Sequence, residues 1–164
     1  MATPTPVAGY FIEPGSSLDR ARLVKFMQRA YRELSTTDAS AHLAETVERH
    51  FSDQSQLWWL TKPSPVFSGL PGIHRPAPLG CLWQGEAIDQ RTGLKQAYVF
   101  LIYVEPAHRR QGLGAALMAH AQAWAKRQGY RQIGLQVFED NQPALTLYQK
   151  LGYAPQARWL SLDL

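Results

Sequence analysis

Little in this chain points to covalent or membrane-borne stabilisation. A single cysteine, Cys81, in 164 residues excludes an internal disulfide and fits a reducing, cytoplasmic setting. No apolar run approaches the length that crosses a bilayer; the longest, Ala97 to Val104, has the length of a strand, so no membrane contact is expected. The opening Met1-Ala2-Thr3-Pro4-Thr5-Pro6 lacks a basic stretch followed by an apolar core and does not read as a signal peptide. No run of lysine and arginine is long enough to argue nucleic-acid binding. His42, His50, His108 and His120 have no metal-ligand spacing, which argues against a metal. Internal repeats, linkers and low-complexity segments are missing too, so residues 1–164 read as one domain with a sizeable core.

What is present begins with arginine. Twelve Arg against five Lys leave a net charge of +4, which suits an anionic cofactor or substrate, or is simply a mildly basic surface. The most informative stretch is Tyr98-Val99-Phe100-Leu101-Ile102-Tyr103-Val104-Glu105-Pro106-Ala107-His108-Arg109-Arg110-Gln111-Gly112-Leu113-Gly114. Its first seven residues are aromatic, β-branched or aliphatic, which predicts a strand buried on both sides. Pro106 cannot donate to a ladder and ends it. From Ala115 a helix is predicted, with Leu113, Leu117, Ala121 and Trp124 on one face. A strand, a glycine-containing basic turn and a helix N-terminus together present free N–H groups and the positive end of the helix dipole, which favours phosphate. Gly112 and Gly114 remove Cβ atoms where a pyrophosphate would approach the backbone. The turn is not a Walker loop, and it has two glycines where a dinucleotide fingerprint needs three.

The rest of the chain is read in order. Met1 to Ala8 is a loose tail. Gly9 to Glu13 is a short strand, and Ser16 or Ser17 caps a helix from Leu18 to Leu34 with Leu23, Phe26, Met27, Ala30 and Leu34 buried. Thr37 or Asp38 caps a second helix through His50 or Phe51, and Leu57 to Thr61 is a strand. Lys62 to Pro78 carries five prolines, which exclude helix or central strand; it is a surface loop or, less simply, a lid or partner contact. Leu79–Asp89 and Leu94–Val104 form a hairpin about Gln90-Arg91-Thr92-Gly93. The helix after the basic turn stops at Gln128 before Gly129. Ile133–Phe138 is a strand, Asn141–Leu151 a helix with Asn141 as cap, Pro143 in its first turn and Gly152 past its end, and Arg158–Leu162 a last strand.

Two stretches carry a family resemblance. Val104-Glu105-Pro106 followed by Arg109-x-x-Gly112-x-Gly114, and the later run Asn141-Gln142-Pro143-Ala144-Leu145-Thr146-Leu147-Tyr148-Gln149-Lys150-Leu151-Gly152-Tyr153, resemble the two signatures of the GNAT superfamily of acyl-coenzyme A-dependent N-acyltransferases. The likeness is close over roughly the C-terminal 60 residues and holds only in layout before them. It implies an α/β (α+β) fold with a mixed, twisted central sheet of six to seven strands, helices on both faces, and acetyl-CoA as cofactor. The insertion at 62–78, between the second and third strands, departs from the tight turn usual there.

The resemblance also distributes roles. Backbone N–H groups of Arg109, Arg110, Gln111, Gly112, Leu113 and Gly114 would bind the pyrophosphate, with both arginines adding charge. Backbone groups of Ile102, Tyr103 and Val104 would pair with the pantetheine arm in a V-shaped gap beside the next strand, one N–H bonding the thioester oxygen. Asn141 would touch the same arm, although as a bare residue it is a helix cap. Tyr148, by periodicity an apolar-face residue, would be the general acid for a thiolate whose conjugate thiol has a pKa near 8.5. The base is less defined, because Gln136 and Tyr98 stand where other members place glutamates. Glu105, Tyr103, His74 or a water chain remain. The aromatic residues Trp58, Trp59, Trp83, Tyr98 and Tyr103 are core or, in part, the wall of a pocket for an amine with an aromatic or apolar body. The reading is transfer of an acetyl group to a primary amine of a small molecule. A peptide acceptor (a protein N-terminus or lysine) and a non-catalytic acyl-CoA-binding module are the alternatives, and a homodimer is left open.

Overall fold

The computed structural model describes residues 3–34, 41–63 and 76–164. The elements run β1 (Thr3–Pro4), β2 (Phe11–Pro14), α1 (Arg20–Leu34), α2 (Ala41–His50), β3 (Gln56–Thr61), β4 (Gly80–Ile88), β5 (Lys95–Val104), α3 (Leu113–Arg127), β6 (Ile133–Leu135) and α4 (Gln142–Lys150). The strands make one sheet in sequence order, antiparallel from β1 to β5, with β6 parallel to β5 across the α3 crossover.

Both faces are covered, as the strand pattern predicts. In β3, Leu57 and Trp59 face α1 and α2, where Leu23, Phe26, Met27, Leu43 and Val47 close over them. Trp58 and Leu60 face the other way, against Leu113, Leu117, Met118 and Ala121 of α3 and Tyr148 of α4. β5 would alternate likewise, but one residue is extra. Trp83 pairs with Leu101 and Gln84 with Val99, so Phe100 has no opposite number on β4. This bulge resets the alternation. Val99 packs on the α3 side, whereas Phe100, Leu101 and Tyr103 pack on the α1 side.

Local signals place most boundaries. Ser16 accepts from the Leu18 N–H and shares a capping box with Asp19, opening a short 3-10 turn before α1. Gly129, at φ +83, ends α3, and Gly152, at φ +84, follows α4. Four expectations fail or fall outside. The tail is not loose throughout: Thr3 and Pro4 pair with Ile12 and Phe11, and the Thr5 N–H bonds the Tyr10 carbonyl at 3.0 Å, because β2 offers a free edge. The strand predicted over Ile133–Phe138 stops at Leu135. Arg158–Leu162 has no secondary structure and pairs with no strand among the described residues, so the described sheet has six strands. Thr37, Asp38 and the greater part of the 62–78 insertion lie outside the described residues.

Gly80 shows how tightly β4 and β5 are joined. A Cβ there would lie 2.4 Å from the Tyr103 carbonyl oxygen and 3.2 Å from Val104 Cα, both backbone atoms that cannot swing away. Gly80→Ala should therefore lower the unfolding free energy by about 1–3 kcal/mol. Urea unfolding measures this as a lower midpoint at unchanged slope, and an unshifted midpoint would mean that the two strands can part there without cost.

Candidate active site

The pairing of β5 with β6 covers only Ala97 to Val99 against Ile133 to Leu135. From Phe100 to Val104 the β6-facing side of β5 has no strand partner among the described residues. The sheet thus opens into a gap at its C-terminal end, lined by the backbone of Ile102, Tyr103 and Val104. A buried, unpaired strand side needs partners for its N–H and C=O groups, so an extended, amide-bearing ligand fits there.

The gap leads to the basic turn. Pro106–His108 forms one 3-10 turn, Arg109 is extended, and Arg110 and Gly112 both adopt positive φ, +64 and +86. A non-glycine residue at such a φ is held there at some cost, which is typical of ligand-binding loops. Gly112 is the N-cap of α3 and supplies no side-chain cap. The first bond of the helix is Ala116 N–H to Gly112 carbonyl at 3.0 Å, so the N–H groups of Leu113, Gly114 and Ala115 precede the ladder and suit an anion.

The two glycines have different reasons for being there. A Cβ on Gly112 would meet only Val7 at 3.9 Å, so its constraint is the positive φ. Gly114 would meet Leu147 Cδ2 at 3.1 Å, so its absent side chain lets α4 lie against α3. That contact matters because α4 carries Tyr148. Asn141 caps α4 through Oδ1 and the Ala144 N–H at 3.3 Å, and Pro143 stands in its first turn. Tyr148 is buried in the cluster with Leu113 and Leu117, and its ring lies 5.8 Å from that of Tyr153. Burial, with Tyr153 adding a little, pushes its phenol up to about 12. It therefore holds its proton throughout the neutral range.

The arginines divide. Arg109 turns away from the turn it belongs to. Its Nε donates to the Val104 carbonyl at 2.7 Å, and Nη1 and Nη2 grip Glu33 of α1 at 2.8 and 2.9 Å. Tyr103 donates its hydroxyl to the same carboxylate at 2.9 Å. Burial alone would raise the Glu33 carboxyl, but the hydrogen bonds from Arg109 and Tyr103 and the guanidinium charge outweigh it and hold it below its usual range. Burial first, then the bond to Glu33, pushes Tyr103 up to about 12. Glu105 is ion-paired through Oε1 with Arg29, also of α1, and Arg29 lies over the Phe26 ring. Hence α1 contributes two residues that sequence reading overlooked. The sequence carried little signal for them, because Glu33 and Arg29 both lie outside the buried stripe of Leu23, Phe26 and Met27 on α1. Arg110 makes no hydrogen bond or ion pair among the described residues.

His74, one of the base candidates, lies outside the described residues. Of the remaining histidines, none a base candidate, His108 Nδ1 lies 2.8 Å from the hydroxyl of Tyr10, which is 3.4 Å from Gln111 Oε1, so the residue before β2 braces the turn. His42, His50 and His120 pack on Tyr31, Phe100 and Trp58. On the α1 side of the gap, the Tyr31 ring lies 6.4 Å from that of Phe138, which follows β6, and Tyr98 contacts Phe100 at 5.1 Å. Trp58, Trp59 and Trp83 belong to the core.

Residues 27–153 match the model of the acetyltransferase (GNAT) family, and the chain belongs to that family. Over 53 residues it is 40% identical to streptothricin acetyltransferase of Streptomyces lavendulae, 32% of this chain and 28% of that protein. Over 60 residues it is 38% identical to the ribosomal protein bS18-alanine N-acetyltransferase of Escherichia coli K12, 37% of this chain and 40% of that protein. The matched stretch is thus under half the length of either relative. In fold it is similar to a predicted acetyltransferase with acetyl-CoA from Clostridium acetobutylicum, at TM-score 0.69 and 16% identity over 94% of this chain and 96% of that one. No helix of the described residues is long and apolar enough to cross a membrane.

The Glu33 cluster makes a pH prediction. A carboxyl lowered on folding adds stability above its ordinary value of 4.5, and this is lost as pH falls through the folded value. Both side chains of the pair are more than a third exposed, so solvent screens it and the contribution is at most about 1 kcal/mol. Glu33→Gln should be less stable than the parent at neutral pH, and the difference should close below pH 4.5 in urea titrations. A difference independent of pH would show that the charge of Glu33 does not matter.

Proposed function

We propose that this protein transfers the acetyl group of acetyl-CoA to a primary amine of a small molecule. The observation that carries the reading is the gap: an unpaired side of β5 that ends at an anion-binding turn, with a protonated, buried phenol on the helix packed against that turn. Pantetheine is an extended chain with two amides, and it suits the backbone of Ile102 to Val104. The Val104 carbonyl already serves Arg109, so Ile102 and Tyr103 carry most of that pairing. The pyrophosphate suits the N–H groups from Gln111 to Gly114. Arg110 supplies its counter-charge, while Arg109 shapes the turn by tying it to α1. Asn141 lies at the α4 end of the gap, where its side chain is divided between its cap and the arm.

The cofactor supplies an activated acetyl thioester; the chain supplies position and protons. An N–H of β5 near Tyr103 polarises the carbonyl. Tyr148 gives its proton to the departing sulfur and so prevents its return. Glu105 takes a proton from the amine through Oε2, the oxygen that Arg29 leaves free. Tyr31, Tyr98 and Phe138 line the side from which the amine arrives, which suits an aromatic or apolar body. A peptide amine, as in the ribosomal-protein relative, is the second reading. Thiol release measured over a panel of small amines and peptides separates the two, and tight cofactor binding without turnover on any amine would favour a non-catalytic module.

Two variants test the machinery. Gly112→Asp places a side chain at φ +86 and a negative charge against the anion site. Acetyl-CoA affinity should weaken more than tenfold, about 1.4 kcal/mol, with the fold retained. Calorimetry that finds the affinity unchanged would remove this turn from the site.

Tyr148→Phe removes only a hydroxyl. Turnover should fall by about 10²- to 10⁴-fold, while cofactor affinity hardly moves. With the phenol up at about 12, the parent enzyme should show no basic limb from this group as pH rises through the range where it stays folded. Wild-type turnover in the Phe variant, on an amine for which chemistry limits the rate, would pass the proton-donor role to water.

A further inference from the structure

The charge of the protein is concentrated on α1. In 15 residues this helix holds five cationic side chains, Arg20, Arg22, Lys25, Arg29 and Arg32, against one carboxylate, Glu33. Its net charge therefore equals the +4 of the whole chain, and the other residues balance to zero. Four of the five cations lie on one line. At about 100° per residue, Arg22, Lys25, Arg29 and Arg32 fall within an arc of about 80°, turned away from the buried Leu23, Phe26 and Met27. All four are exposed. Arg20 leaves the line and lies over the Phe51 ring, 4.9 Å from its centroid. The four are three or four residues apart, so no basic run marks them in the sequence; helical winding assembles them. Neighbouring carboxylates do not cancel the line. Asp19 holds Arg22 Nη1 at 3.1 Å and Glu105 holds Arg29 Nη1, which leaves Nε and Nη2 of each guanidinium for another acceptor. Those two side chains stay 46% and 49% exposed. Glu33 is engaged by Arg109 and Tyr103.

We propose that this face of α1 binds the phosphate backbone of duplex DNA without reading its sequence. Length and charge match. From Arg22 to Arg32 the helix rises about 15 Å. One strand of a duplex presents a phosphate about every 3.4 Å of its axis, so the line spans about four phosphates with four cations. Three of the four are arginines, whose fork of donors fits two oxygens of one phosphate where lysine offers a point charge. The carboxylates of an acidic protein surface have no such fixed repeat. Shape selects among nucleic acids. A helix with its side chains is about 10–12 Å across, and the major groove of B-DNA is about 12 Å wide, so the ridge of α1 settles at the groove mouth beside one strand. The major groove of A-form RNA is deep and too narrow for that. A single strand needs aromatic platforms for its bases, and the line contains no aromatic residue. It offers charge alone, which positions a backbone and leaves base edges unread. α1 packs on the face of the sheet away from α3 and α4, so DNA there leaves the head of α3 open to a cofactor.

The proposal does not depend on the acetyl-transfer reading, and the experiment keeps the two apart. Fluorescence anisotropy of a labelled mixed-sequence DNA duplex of about 20 base pairs measures binding by the full chain from about 50 to 200 mM NaCl. The logarithm of the association constant should fall with the logarithm of salt at a slope of about −3 to −4, the value for about four phosphates. A duplex of unrelated sequence should bind within about twofold. Lys25→Gln combined with Arg32→Gln should make the slope shallower by about two and weaken binding roughly tenfold or more at low salt. The same variant should keep the parent's Tm and acetyl-CoA affinity. Binding should also persist in saturating acetyl-CoA. No binding at low salt, or a slope near zero, would overturn the proposal. So would an unchanged slope in the double variant, and so would displacement by acetyl-CoA, which would move the DNA to the basic turn. An RNA duplex or a single strand bound more tightly than DNA would overturn the groove fit. Polyglutamate bound more tightly than DNA would make the partner an acidic protein instead. Absence of turnover on every amine would count against the acetyl-transfer reading alone, with the salt slope still deciding the role of α1.

Discussion

After Val99 the parallel ladder between β5 and β6 stops, and β5 continues for five residues with that side unpaired among the described residues. The neighbouring ladder changes at the same point: the extra residue at Phe100 resets which side chains face which helix layer. Had the alternation continued unbroken, Val99, Leu101 and Tyr103 would share one face. Tyr103 would then not reach Glu33, and α1 would lose one of its ties to the end of β5.

That tie is electrostatic and deliberately local. Arg109 bridges three elements at once: the end of β5 through the Val104 carbonyl, α1 through Glu33, and its own turn through the backbone. A guanidinium with its donors spent in this way is a brace more than an anion ligand. The backbone N–H groups at the head of α3 are then the donors that suit an anion, and they carry no rotamer entropy. Tyr10, His108 and Gln111 brace the other flank of the same turn. Preorganisation of this kind is what a turn needs if it is to hold a pyrophosphate without rearranging first.

Tyr148 and Gly114 illustrate a second economy. Gly114 brings α4 within reach of α3, and α4 brings the phenol to the head of α3, where burial keeps it protonated. The glycine thereby acts on the placement of the phenol through packing alone. The outer edge of β6 and the apolar segment after Tyr153 both lack a strand partner among the described residues.

The sequence by itself determined the elements with strong local causes. Gly129, Gly152, Ser16 and Asn141 placed helix ends, because caps and positive φ are properties of single residues. The hairpin from β4 to β5 and the basic turn before α3 were legible for the same reason, and so was the gap's chemistry, through two short signatures. Tertiary structure decided what depends on neighbours distant in sequence. The bulge at Phe100 is a mismatch between two strands and has no mark in either one. Glu33 and Arg29 entered the site because α1 crosses the end of β5. Thr3 and Pro4 became a strand because β2 had a free edge, whereas Arg158 to Leu162, with the better strand pattern, found no partner among the described residues. Pairing requires a second surface, and where that surface lies is a property of the fold.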